Sequence, residues 1–170
     1  MIRRILGASI ALGLVACGQS SPPQGQSDPN APGNELPVAS ELLANAPLAG
    51  TWEAVGDGAT VGVRFTSKDY PDTVTIGCDG GTRRAFINWT ISDPAQNGEV
   101  RIYTAAKTET FAATATNDGM HLLNVDVDGK DPRLAVLKAK QDRFAVQGFG
   151  QAIVVPWVQS IADNLNECAN

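Results

Sequence analysis

Three acidic or amide side chains alternate along one stretch of the chain, and their spacing could bind a cation. Asn124, Asp126 and Asp128 precede Gly129, which matches the first half of a loop that wraps calcium with alternate oxygen ligands. The last ligand of such a loop is a bidentate glutamate, but Ala135 stands there. A strand with one wet face that ends in an Asp-Gly turn explains the alternation as well. We take the strand as the main interpretation and calcium as the alternative, and we expect no cofactor.

Side chains that could act together in catalysis are scarce. His121 is the only histidine, and no G-x-S-x-G sequence accompanies it, so a serine-histidine or cysteine-histidine mechanism has little support. Paired carboxylates for glycoside hydrolysis would have to come from acidic turns and strand ends, whose separation the sequence does not define. These candidates are Glu53, Asp57, Asp69, Asp72, Asp79 and Glu99. We predict that the protein is not an enzyme and rank a wall hydrolase last among the alternatives.

Two adjacent arginines could contact an anion. Arg83 and Arg84 follow a glycine-containing turn and could present a small cationic spot to an anionic glycan or a phosphate. The alternative is that both are surface charges. The net charge of the 170-residue chain is −5 at pH 7, which argues against nucleic acid as a partner.

The elements that must position these side chains are mainly strands. Short β-type runs alternate with turns rich in glycine, asparagine and aspartate, at the spacing typical of an all-β sandwich or barrel. The predicted strands cover residues 51–55, 60–66, 73–78, 84–91, 99–104, 109–115, 120–127, 143–147 and 152–155. The predicted fold class is mainly β (α+β), with a single antiparallel β-sandwich or small β-barrel.

Two helices accompany the predicted sheet. Asp131-Pro132 has the form of a cap followed by proline at the first helical position, which predicts a short helix near residues 131–140. A longer C-terminal helix is predicted to begin at Pro156, and its apolar face must pack on the sheet. That face holds Trp157, Ile161, Leu165 and Cys168.

The first residues of the chain carry a secretory pattern. Arg3 and Arg4 precede an apolar segment that ends in small residues and is too short to span a bilayer comfortably. The sequence Leu-Val-Ala-Cys at residues 14–17 resembles the lipobox of bacterial lipoproteins. This resemblance implies that Cys17 is lipidated and becomes the mature N-terminus, and that the lipid holds the protein at a membrane. Gly18 favours the outer membrane, facing the periplasm or the cell surface. The alternative is an ordinary secreted protein.

The chain is predicted to divide into three parts. Residues 1–16 form the signal peptide, residues 17–47 form the lipidated cysteine with a tether rich in proline, serine, glycine and glutamine, and residues 48–170 form one β-rich domain. Within the tether we expect a helix of one or two turns between Pro37 and Pro47.

If Cys17 carries lipid, Cys78 and Cys168 remain as an even pair. In an oxidising compartment they are expected to form a disulfide. Val74 and Ile76 alternate with Cys78 onto one side of a strand, so this thiol should point into the same core as the C-terminal helix. The alternative is two separate buried free cysteines.

Four segments of the folded part follow one another in a recognisable order: TVTIGCD, RRAFINW, DPRLAVLKAKQDRFAVQG and VVPWVQSIADNLNEC. In these segments the chain is similar to a small domain of unknown function in exported proteins of alphaproteobacteria. The resemblance implies a fold and no activity. Gly50-Thr51-Trp52 also resembles the opening of lipocalin-type barrels, and lipid-anchored lysozyme inhibitors are similar in size, lipidation and a single disulfide.

These observations favour a non-enzymatic envelope protein, tethered to the membrane through Cys17, whose domain binds an envelope protein or polymer through loops at one end. The first alternative is a small-ligand carrier with a lipid-lined cavity, and a protein like the lysozyme inhibitors is another. The oligomeric state is left open by the sequence.

Overall fold

The computed structural model of the chain describes residues 38–68, 73–91, 96–117 and 119–170. Chain contacts divide the protein into Met1–Leu36 and Pro37–Asn170, and the first of these units lies wholly outside the described residues. The strands of the second unit are β1 Gly50–Val55, β2 Thr60–Ser67, β3 Thr73–Asp79, β4 Arg84–Ile91, β5 Gly98–Tyr103, β6 Thr108–Thr116, β7 His121–Asp128, β8 Arg143–Gly148 and β9 Gln151–Pro156. The helices are α1 Ala39–Ala44, α2 Ala135–Lys138 and α3 Gln159–Ala169, and a 3₁₀ turn at Pro132–Leu134 precedes α2.

All nine strands form one curled antiparallel sheet, a half-barrel. The strand order is β1-β2-β3-β4-β7-β6-β5-β8-β9, so β4 pairs with β7 and β5 pairs with β8 across longer stretches of chain. This arrangement confirms the mainly β class with a short helix and a C-terminal helix packed on the sheet. Each observed strand begins and ends within one residue of its predicted bounds, because a period of two and the turn residues mark strand ends locally.

The predicted start of the C-terminal helix is wrong. Pro156 is the last residue of β9 and lies opposite Arg143, and α3 begins three residues later at Gln159. A proline is tolerated at a strand end, where its missing N–H costs no ladder hydrogen bond. Trp157 therefore precedes the helix, and its indole N–H donates to the carbonyl oxygen of Leu137 at 2.8 Å.

One face of the sheet, here called the inner face, carries the hydrophobic core. Its largest side chains are completely buried and come from distant strands, together with two residues of α3. They include Phe65, Trp89, Phe111, Phe144, Ile161 and Leu165. Helix α3 lies against β2, β3 and β4, so its apolar face closes the core as the spacing predicts.

The opposite, outer face is covered at only one place by a helix of the described chain. Leu42 of α1 packs on Tyr103, Ala145 and Val154, which belong to β5, β8 and β9. The folded unit therefore includes α1, the short helix expected within residues 37–47, and begins ahead of the predicted domain boundary at residue 48.

The two edge strands of the sheet are linked to each other. Just before β1, the backbone N–H of Leu48 donates to the carbonyl oxygen of Val154 at 2.8 Å. In β1, the indole N–H of Trp52 donates to the carbonyl oxygen of Pro156, also at 2.8 Å. These contacts use backbone groups at the open edges, which would otherwise be free to pair with another chain.

Candidate functional site

Cys78 and Cys168 form a disulfide, which confirms the predicted pairing and excludes two free buried cysteines. The bridge joins the end of β3 to the end of α3, with 5.5 Å between the two Cα atoms, and both residues are 1% exposed. Gly129 lies directly against it: a Cβ atom there would be 2.5 Å from the carbonyl oxygen of Cys168. The glycine that suggested a calcium loop is therefore explained by the close approach of α3.

Polar side chains form a continuous row across the outer face. The row runs over six adjacent strands, and each member lies opposite the next in the pairing register. Its members are Glu53, Arg64, Thr75, Asn88, Asn124 and Thr114. This part of the sheet therefore has one apolar face and one wet face, as the alternation along β7 predicts.

A groove with a volume of about 400 Å³ crosses the middle of this row. Its walls come from β3, β4, β6 and β7 and from the turn between β3 and β4. The lining residues are Asp79, Thr82, Arg84, Phe86, Asn88, Thr116, Leu122, Asn124 and Asp126. Two strand pairs that are distant in sequence, β3–β4 and β6–β7, thus contribute to one concave surface, which we call the outer groove.

The charged groups of the outer groove are largely matched within it. The guanidinium of Arg84 donates through Nε to a carboxylate oxygen of Asp126 and through Nη2 to the Asp126 carbonyl oxygen, at 3.0 Å in the second contact. The carboxylate of Asp79 accepts the backbone N–H groups of Gly81 at 2.9 Å and Thr82 at 3.3 Å. Hydrogen bonds from the side chain and backbone of Thr82 and from the backbone of Gly81 lower the pKa of Asp79, so this carboxylate is held in its ionised form.

Two amide side chains lie opposite each other in the outer groove. Asn88 of β4 and Asn124 of β7 are paired in the register, and both are half-buried. The Oδ1 atom of Asn88 is buried and has no hydrogen-bond partner among the described residues. A buried polar atom without a partner is costly, so most such atoms in folded proteins are paired.

The outer groove also contains apolar surface. The ring of Phe86 lies next to Gly77, where a Cβ atom would be 2.6 Å from the ring atom Cζ and 2.4 Å from the Val61 carbonyl oxygen. Glycine at this position lets the half-buried ring lie close to the sheet. Leu122, also half-buried, adds a second apolar group on β7.

The two arginines of the predicted anion contact have different surroundings. Arg84 belongs to the outer groove and is paired with Asp126. Arg83 lies in the exposed turn before β4 with a φ of 57°, and its carbonyl oxygen accepts the N–H of Gly129 at 2.9 Å. The structure therefore places only one of them in the groove, and its charge is already matched.

The candidate calcium ligands follow one another along β7. Asn124 and Asp126 line the outer groove, and the Oδ1 atom of Asp128 accepts the backbone N–H of Lys130 at 2.8 Å. The strand interpretation is confirmed, since β7 spans His121–Asp128. Within the described ranges, no three His, Cys, Asp or Glu residues are grouped so that they could hold a metal ion.

The other candidate catalytic groups are not brought together by the fold. The Nδ1 atom of His121 lies 3.0 Å from Oδ1 of Asn117, at the start of β7. Glu53 pairs in register with Arg64 at the far side of the outer face, and Glu99 accepts a hydrogen bond from Arg101 at 3.2 Å. Asp69 and Asp72 lie outside the described residues.

A second cleft, of about 450 Å³, lies between the β5–β6 turn and the segment that joins α2 to β8. Half of its lining residues are alanine or valine, and two of its polar side chains bond to the protein. Thr104 Oγ1 donates to the carbonyl oxygen of Lys107 at 2.9 Å, and Gln141 Nε2 donates to that of Val136 at 3.1 Å. The cleft is built mostly on loops and a short helix, whereas paired strands form most of the walls of the outer groove and hold its side chains more rigidly, so the outer groove is the better candidate site.

The sequence indicates only part of the outer groove. Its patterns point to Asn124 and Asp126 as possible cation ligands, to Arg84 as an anion contact and to Asp79 as a candidate carboxylate. They do not indicate the other lining residues, because nothing local shows that β4 pairs with β7; these are Thr82, Phe86, Asn88, Thr116 and Leu122. The only signal available was the alternation along β4, which places Arg84, Phe86 and Asn88 on one face.

The predicted signal peptide, the predicted lipobox with Cys17 and residues 18–37 of the predicted tether lie outside the described residues. In the part of the chain that the structure describes, no helix has the length and apolar character needed to cross a membrane. Comparison of the chain with protein-family models, with curated proteins and with solved structures found no match. The resemblances of the leader and of the folded part therefore stay predictions.

Proposed function

We propose that this protein is an exported lipoprotein, anchored through Cys17 to the outer membrane and facing the periplasm or the cell surface. Its folded domain binds an envelope protein or polymer and catalyses no reaction. The observation that carries the proposal is the buried Cys78–Cys168 disulfide. Disulfides persist in oxidising compartments and are rare in the cytosol, so the bridge agrees with the export pattern at residues 3–17.

The composition of the segment after Cys17 also supports this function. Residues 18–36 are dominated by glycine, serine, proline, glutamine and asparagine, with few apolar side chains to bury. Such a segment is typical of a flexible spacer. A spacer between a lipid and a folded domain allows that domain to meet partners away from the membrane surface.

The choice of a binding domain over an enzyme rests on the placement of reactive side chains. Among the described residues, His121 contacts an asparagine, and Glu53 and Glu99 lie near arginines in different parts of the sheet. Glycoside hydrolysis needs two carboxyl groups about 5–10 Å apart around one bond. Within the described ranges, the outer groove has two carboxyl groups in its lining, Asp79 and Asp126. The pKa of Asp79 is lowered, so this group is not suited to act as a general acid, and Asp126 is engaged by Arg84.

The small-ligand carrier is the less favoured alternative because the inner face is filled. Phe65, Trp89, Phe111 and Phe144 are all fully buried in one cluster with α3. A lipid-lined cavity would require small side chains or a gap at these positions. For the alternative of a protein like the lysozyme inhibitors, the single disulfide is the one structural feature among the described residues that agrees with it.

Labelling with palmitate tests the anchor. We expect the full chain, expressed in a bacterial host that lipidates such leaders, to incorporate labelled palmitate, and the Cys17→Ala variant to lose the label. Ser20→Ala is the matched control, because it changes a neighbouring residue and leaves the lipobox intact. Label that persists in Cys17→Ala, or a wild-type chain without label, would contradict the anchor.

Retention experiments test the binding role. The lipidated chain is immobilised in detergent and exposed separately to purified cell-wall sacculi and to solubilised outer-membrane proteins. We expect one of the two to be retained above beads that carry only detergent. If neither is retained, the proposed binding role is wrong even if Cys17 is lipidated.

A further inference from the structure

We infer that the outer groove binds a neutral oligosaccharide, as a segment of an envelope polymer. The inference deepens the proposed binding function and rests on it for the source of the polymer. Its site lies on the middle of the sheet face, whereas loops at one end were expected from the sequence. The inference rests on three features of one groove: an ion pair, two amide side chains on neighbouring strands, and a small apolar surface formed by Phe86 and Leu122.

The charges of the groove select against an anionic ligand. Arg84 is the only cation in its lining, and Asp126 already occupies its Nε and Nη2 donors. Asp79 contributes a further negative charge, held by its own turn. A phosphate or an acidic glycan would meet this carboxylate without an unpaired cation to offset it. A neutral ligand avoids that repulsion.

The opposed amides suit hydroxyl groups. An amide side chain offers both donors and an acceptor, and a hydroxyl group can donate and accept at once. Asn88 and Asn124 line the groove from paired positions on neighbouring strands, so the hydroxyl groups of one sugar ring can contact both amides.

The fixed ion pair adds a second polar contact. The pair uses Nε and Nη2 of Arg84 and one carboxylate oxygen of Asp126, so Nη1 and the second carboxylate oxygen remain outside it as a donor and an acceptor on adjacent side chains. Two adjacent hydroxyl groups of a sugar ring can bind such a site, because one can accept a hydrogen bond from the arginine while the other donates one to the aspartate. Because the protein has already ordered these two side chains, little further conformational entropy is lost when a ligand binds.

The apolar groups complete the match with a sugar ring. Phe86 and Leu122 provide a small apolar surface between the polar walls. A sugar ring has hydroxyl groups at its rim and C–H groups on its faces, so it can pack its face on an aromatic ring while its rim forms hydrogen bonds. The volume of about 400 Å³ lies in the range of small-molecule sites, about 300–1,000 Å³.

Titration of the ¹⁵N-labelled full chain in detergent micelles tests this site. The probes are N,N′,N″-triacetylchitotriose, cellotriose and maltotriose, and inorganic phosphate is added in a separate titration. We expect saturable shifts of the Asn88 and Asn124 side-chain amides and of the Phe86 backbone amide with at least one sugar at millimolar concentration. Phosphate should cause no saturable shift there.

Single substitutions locate the binding. Asn88→Ala and Asn124→Ala each remove an amide from the groove and should weaken the sugar about tenfold. Glu53→Gln changes an exposed residue of the same polar row, outside the groove, and should leave the affinity unchanged. Thermal melting confirms that each variant is folded, and Asn88→Ala is well suited to this purpose because it removes an unpartnered polar atom.

Three results would overturn the inference. The first is the absence of saturable shifts with all three sugars, and the second is sugar binding that is equally strong in both asparagine variants. The third is saturable binding of phosphate at the groove. These outcomes can be distinguished from failure of the proposed function. If the wild-type chain carries no palmitate label or retains no envelope component, the proposed location or partner is wrong, but sugar binding to the groove can still be measured.

Discussion

The two faces of the sheet use the same strands in opposite ways. In β4, Ala85, Ile87 and Trp89 point into the core and are almost completely buried, while Arg84 and Asn88 point outward into the groove. The inner face is closed by α3 and a disulfide, whereas the outer face keeps a polar row open over six strands. The inner face therefore contributes most of the stability of the domain, and the outer face carries the proposed binding site.

Removal of the disulfide should give the largest loss. The double variant Cys78→Ala with Cys168→Ala frees a loop whose ends are 90 residues apart in sequence. The expected decrease in the free energy of unfolding is about 4 kcal/mol, measured by urea denaturation under oxidising conditions. Equal stability of this variant and the wild type would contradict a structural role for the bridge.

A matched pair of leucines compares the faces directly. Leu165 of α3 is 0% exposed, so Leu165→Ala should lower the free energy of unfolding by about 2–5 kcal/mol. Leu122 is half-buried in the outer groove, and Leu122→Ala should cost only about 1 kcal/mol. Urea denaturation of both variants provides the measurement. Similar losses in the two variants would show that the outer face also holds the fold together.

Two ion pairs provide the smallest and most specific comparison. Arg133 donates to Asp131, places its guanidinium 4.9 Å from the centre of the buried Phe111 ring and also donates to the carbonyl oxygen of Thr110. The side-chain hydrogen bond from Arg133 lowers the pKa of Asp131 despite partial burial. At neutral pH, Asp131→Asn should therefore lower the free energy of unfolding by about 0.5–1 kcal/mol.

The pH dependence identifies the cause of that effect. Because the folded pKa of Asp131 is lowered, its contribution is complete above the unfolded value of about 3.9 and is lost as the pH falls through the folded value. The stabilities of Asp131→Asn and wild type should converge over this window in urea titrations at a series of pH values. Arg84→Gln, on the exposed pair of the outer face, is the control and should cost about 0–0.5 kcal/mol. If Arg84→Gln lowered the free energy of unfolding more than Asp131→Asn, the ion pair of the outer face would be the more stabilising of the two, contrary to expectation.

Three sets of residues show which structural features can be predicted from the sequence and which cannot. Val74, Ile76 and Cys78 could be assigned to one buried face because strand side chains alternate, and the structure confirms this assignment. Pro156 was assigned to a helix because proline is common at a first helical position, and only its pairing with Arg143 shows that it ends a strand. Arg84 was expected to be available to an anion, but its partner Asp126 lies 42 residues further along the chain.

The sequence by itself determined the nine strands, the buried sides of β3 and β7 and the two cysteines that were expected to pair. These are local properties, since they depend on a period of two, on turn residues and on residue type. Only the tertiary structure decided that β4 lies beside β7 and that Asn88 therefore faces Asn124. Strand pairing is a contact between segments far apart in the chain, and the alternation within each strand carries no information about its neighbour. The outer groove exists because of that pairing.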